Sequence, residues 1–163
     1  WEVQKELTKM PSFNTPTGDL ALEKTAIANF KKIALLTAGA AVKYQMDGKL
    51  DLAENQQITM QLADILMHTY LAESTYLRVK KLHVSNRAED LSLKTAALQV
   101  FIHDTQDLIA KHARDAIASF ALGDEKKIML LGIQRFANYP PQNVVELRTQ
   151  IAKVSIDQGG YVL

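Results

Sequence analysis

From Lys49 to Leu122 the sequence contains neither glycine nor proline, and no other feature narrows its possible folds as far. A stretch of that length cannot be a series of short strands, because hairpin and crossover turns draw heavily on those two residues. Apart from the isolated Gly39 and Gly132, the breakers gather at Pro11, Pro16 and Gly18, at Asp47-Gly48, at Gly123-Asp124, at Pro140-Pro141 and at Gly159-Gly160. Between them the chain reads as helix, and no segment alternates apolar and polar residues as a half-buried strand would.

The spacing of apolar residues predicts the individual helices. The first is expected over residues 19–46, with Asp19 as N-cap, Glu23 in the early turns and Asp47-Gly48 as the stop. Ile27, Phe30, Ala34, Thr37, Ala41 and Tyr44 share one stripe of it. Its middle, IALLTAGAAV, is apolar or small on every side, as suits a helix central to a bundle. The second is expected from about residue 52 to about residue 83, where Ile58, Leu62, Ile65, Thr69, Ala72, Tyr76 and Val79 recur at alternating intervals of four and three. Its basic end, RVKKLH, fits a helix C-terminus, where the macrodipole favours cations.

A third helix is expected after Asn86, with Glu89 and Asp90 in its first turn and Leu91, Leu98, Phe101, Thr105, Leu108, His112 and Ala116 on one face. A fourth is expected from Asp124 as N-cap to about Tyr139. After the Pro140-Pro141 break, Val144, Leu147, Ile151 and Val154 form the stripe of a short closing helix. The fold class is therefore all-α, an antiparallel bundle of about four main helices with short flanking helices. Residues 1–18 are expected to be a connector helix, WEVQKELTKM, and a Pro-rich linker, with the bundle domain over residues 19–163. An opening on Trp1 leads us to expect a piece of a longer polypeptide.

Charge and composition remove several classes of function. Nineteen Lys and Arg against eighteen Asp and Glu leave a formal charge of +1, too little for the basic footprint of a nucleic-acid binder. The absence of cysteine excludes thiol catalysis, disulfides and Cys-zinc sites, and agrees with a reducing, cytoplasmic setting. The longest apolar or small run, residues 33–42, is about half of what crosses a bilayer. The dispersed glycines cannot form G-x-G-x-x-G or a P-loop, and no G-x-S-x-G elbow occurs.

Helical bundles hold di-iron centres through Glu-x-x-His pairs, but no glutamate here is followed by histidine at that spacing. Asp64 with His68, and His103 with Asp107, remain as i,i+4 carboxylate–imidazole pairs, which also arise as ordinary helix-surface neighbours. His112 falls on the stripe expected to face the core. The pairs Lys31-Lys32, Lys80-Lys81 and Lys126-Lys127 could line a groove for an acidic ligand, although interleaved acids give solvated helix faces the same look. We assign no catalytic, cofactor-binding or metal-binding residue.

Four ordered segments carry a family resemblance: WEVQKELTKMPSF, LEKTAIANFKKIALLTAGAAVKY, MQLADILMHTYLAESTYLRVKKL and IQRFANYPPQNVVELRTQIA. Together they resemble the C-terminal extension of large bacterial acyl-CoA dehydrogenases, similar to the very-long-chain branch. The resemblance implies a parent flavoprotein that uses FAD to oxidise acyl-CoA thioesters in fatty-acid oxidation. The catalytic Glu base and the flavin contacts of that family belong to the preceding core domains, so no catalytic residue and no cofactor site carry over to this chain.

The implied role is structural: a non-catalytic helical domain that packs on the catalytic core, mediates subunit association in a homo-oligomer, or both. Phe30, Ala38, Gly39, Ala40, Tyr44 and Tyr76 are the interface candidates. The alternative is a membrane- or partner-docking helical module, with residues 19–46 and 124–139 as the amphipathic segments.

Overall fold

In the computed structural model, which describes residues 17–85 and 91–160, the breakers separate five helices with no strand among the described residues. These are α1 (Ala21–Met46), α2 (Gln56–Ser85), α3 (Leu91–Phe120), α4 (Gly123–Phe136) and α5 (Val144–Gln158). The all-α class is as the sequence implies. The expected connector helix, and Asn86, Glu89 and Asp90 at the opening of the third helix, lie outside the described residues.

The helices start differently from the expectation. Asp19 does not cap α1; Leu20 does, in the left-handed region at φ 57° with no side-chain hydrogen bond. That conformation costs a non-glycine residue roughly 1–2 kcal/mol, and burial of the Leu20 side chain offsets it. Asp124 is likewise not an N-cap. Leu122 is extended, and Gly123 turns the chain at φ 60°, where a side chain would be strained, so that Asp124 and Glu125 fall in the first turn of α4. α4 ends at Phe136, short of Tyr139, and Asn143 caps α5 by accepting from the Glu146 amide at 3.2 Å.

Side-chain pairs fix how the helices run. Lys31 of α1 meets Glu73 of α2, and the two helices are joined by a short turn in which Gln45 Oε1 accepts from the Leu52 amide, so they are antiparallel. His83 near the end of α2 meets Thr95 near the start of α3 at 3.0 Å, while Asp64 faces His112, so that pair is antiparallel too. Lys43 reaches Glu125, and Lys32 lies over the Phe136 ring, which sets α4 antiparallel to α1. The result is an up-down-up-down bundle, with α5 laid on α3.

The helix that touches all four others is α3, not α1. It buries a broad face through Leu98, Ile102, Ile109, Ala113 and Ile117, whereas the single expected stripe is not wholly inside: Leu108 is exposed and Phe101 and His112 are half-buried. The stripe of α2 holds, with Ile58, Ile65, Thr69, Ala72, Tyr76 and Val79 all buried. Phe30, Ile33, Ile65, Leu98, Ile102, Ile109, Ile117 and Ile133 are fully enclosed, and burial of each such side chain contributes about 1.5–3 kcal/mol relative to exposure. Buried hydroxyls cost little because they return to their own helix: Thr37 donates to Ile33 O at 2.8 Å and Thr69 to Ile65 O at 2.7 Å.

Candidate interaction surface

The sequence candidates fall into two groups. Phe30, Ala40, Tyr44 and Tyr76 are buried in the domain's own core, where helix packing within the chain already uses them. Ala38 is half-buried and Gly39 exposed, and a Cβ added at Gly39 would meet nothing within 4 Å. Ala38 and Gly39 therefore lie toward the outside of α1, whereas Ala26, Ala34, Ala40 and Ala41 pack within the chain's own core.

Two separate hydrogen-bonded sets of polar groups stand at the ends of the bundle, one buried and one at the surface. At one end Glu23, 3% exposed, accepts from the Tyr139 hydroxyl at 2.9 Å and from Gln99 Nε2 at 3.3 Å. The Tyr139 amide in turn donates to Gln106 Oε1. Burial, reinforced by the Glu23 charge and its hydrogen bond, pushes the Tyr139 hydroxyl far above its ordinary pKa. At the other end the Tyr44 hydroxyl donates to Glu125 Oε2 at 2.7 Å, and Lys43 Nζ donates to Glu125 Oε1 at 3.2 Å. The hydrogen bond from Tyr44, then that from Lys43, holds the Glu125 carboxyl below the usual value, while the same contacts raise Lys43 and Tyr44.

The remaining candidates do not converge on a site. His103 Nδ1 lies 3.4 Å from Asp104, not on Asp107, and Asp104 also takes two 2.8 Å bonds from Arg148 of α5. His68 stacks on His112 at 6.2 Å between ring centres, and His112 Nδ1 is 3.9 Å from Asp64. Among the described residues no three His, Asp or Glu side chains gather as a metal site. The paired lysines are engaged one by one: Lys31 with Glu73, Lys80 over the Tyr76 ring, Lys126 on Ala118 O, and Lys127 with Asp124.

The outer face of α2 carries an apolar series that the buried stripe does not account for. Met60, Leu66, Met67, Tyr70, Leu71 and Leu77 are between 42% and 70% exposed and lie opposite the buried stripe. Leu35, Val42 and Met46 continue the apolar exposure on the neighbouring α1. Their signal was present in the sequence as a second 3-4 repeat on α2, offset from the first. Patches of this kind mark surfaces that meet another body. No helix among the described residues is long and apolar enough to cross a membrane.

Residues 29–135, which span most of α1 through to the last turn of α4, match the model of the acyl-CoA dehydrogenase C-terminal domain. The chain belongs to that family. A curated relative of the acyl-CoA dehydrogenase C-terminal domain, a probable acyl-CoA dehydrogenase of Bacillus subtilis (strain 168), is 30% identical over 151 residues, 92% of this chain and 25% of the relative. The fold is also that of part of an acyl-CoA dehydrogenase from Bacillus anthracis, whose crystal structure is a complex with FAD. There the TM-score is 0.86 at 30% identity, over 99% of this chain and 27% of that one. The acyl-CoA dehydrogenase C-terminal domain described here thus spans about a quarter of the length of these relatives.

Proposed function

We propose that the chain serves as the non-catalytic helical C-terminal domain of an FAD-dependent acyl-CoA dehydrogenase, packing on the catalytic portion and supporting subunit association. The observation that carries this reading is the family match over residues 29–135. Very-long-chain acyl-CoA thioesters are the proposed substrate class of the whole enzyme, and the cytoplasm its proposed location. Residues 1–18 are proposed as the connector to the catalytic portion, and Ala38 and Gly39 as the α1 residues available to a partner.

Among the described residues, the chain's side chains and turns do not fit a flavin. The left-handed glycines Gly18, Gly48, Gly123 and Gly159 stand singly at helix ends and turns, so they form no pyrophosphate cradle. Glu23, Glu146 and the pair Asp124 and Glu125 place carboxylates in the first turns of α1, α5 and α4, where they compete with an anionic ligand. FAD and the acyl-CoA chemistry are therefore assigned to the portion of the enzyme outside these residues, and no step of that chemistry is routed through this domain.

The test is flavin content and acyl-CoA oxidation, measured on the isolated chain and on the full-length polypeptide. The chain alone should carry no flavin absorbance and no activity, and the full-length protein should carry both. Stoichiometric flavin on the isolated chain would overturn the reading.

A further inference from the structure

We draw no further inference here: the strongest candidate, the apolar outer face of α2 from Met60 to Leu77 with Leu35, Val42 and Met46 of α1 beside it, is an unpartnered surface patch, and nothing in the structure shows what covers it.

Discussion

The Tyr139 hydroxyl donates to Glu23 Oε1 at 2.9 Å, joining two residues 116 positions apart. Glu23 lies just before the region that matches the family and Tyr139 just after it. The bond therefore ties the entry of α1 to the segment leaving α4, and it closes the bundle at the end where the chain passes on to α5.

Tyr139→Phe keeps the ring and removes the donor, leaving a buried carboxylate with Gln99 as its remaining side-chain partner. A buried group stripped of a partner costs about 1–3 kcal/mol. Each kcal/mol lowers the melting temperature of a domain this size by roughly 2–4 °C. Thermal unfolding followed by circular dichroism should show that loss. An unchanged midpoint would mean that the bond contributes nothing net.

The same residue sets an alkaline limit. In the unfolded chain the Tyr139 hydroxyl ionises near its ordinary value of 10.0, and in the folded domain burial and Glu23 hold it protonated well above that. A folded pKa raised above the unfolded one gives stability that is complete below pH 10 and falls as the pH rises further. Lys43 and Tyr44 act in the same direction. Urea midpoints between pH 8 and 11 should decline in the native protein, and the decline should be shallower in Tyr139→Phe.

The acid limit comes from the opposite end of the bundle. Glu125 has a carboxyl held below its ordinary 4.5, first by the Tyr44 hydrogen bond and then by Lys43. Its stabilising effect is present above 4.5 and is lost as the pH falls through the lower folded value. Asp115, held down by its hydrogen bond from Lys111, adds to the same trend. Glu125→Gln should flatten the loss of stability between pH 5 and 3 without removing it, as read from urea midpoints. A slope equal to that of the native protein would show that the α1–α4 contact does not use this charge.

What could be read from the sequence follows the range of each interaction. The α2 stripe was legible because Ile58, Ile65, Thr69, Ala72, Tyr76 and Val79 all point one way, and periodicity records that directly. The face of α3 was only partly legible, because a helix touched on several sides has no single stripe to find. Glu23 could not be placed inside by local spacing, since its partners Gln99 and Tyr139 lie 76 and 116 positions away. Asp19 and Asp124 looked like caps by residue type. The positive φ of Leu20 and of Gly123 starts those helices differently.

Adjacent residues on α2 separate core from surface. Ile65 is fully enclosed, and Leu66 is 57% exposed. Ile65→Ala should cost about 2–5 kcal/mol, because a cavity is added to the lost transfer energy. Leu66→Ala should stay within about 0.5 kcal/mol for the monomer, as surface changes do. Chemical denaturation at low protein concentration, where self-association is suppressed, reads the difference directly. Equal losses at both positions would mean that the outer face is already covered within one chain.

The last helix depends on its cap more than on its packing, since none of α5 is buried. The Asn143 side chain accepts from the Glu146 amide at 3.2 Å, which satisfies one backbone donor at the helix start, and its Nδ2 donates to Glu146 Oε2 at 2.9 Å. Beyond that, α5 is held by the half-buried stripe Val144, Leu147, Ile151 and Val154 and by the Arg148–Asp104 bridge, whose exposed setting makes it worth little. Asn143→Ala should therefore cost about 1 kcal/mol. The loss should appear as faster amide hydrogen exchange in residues 144–158, while α1 to α4 keep their protection, because among the described residues α5 packs mainly on α3. Exchange accelerated equally across all five helices would show instead that α5 unfolds only with the bundle, and that its cap is part of the cooperative core.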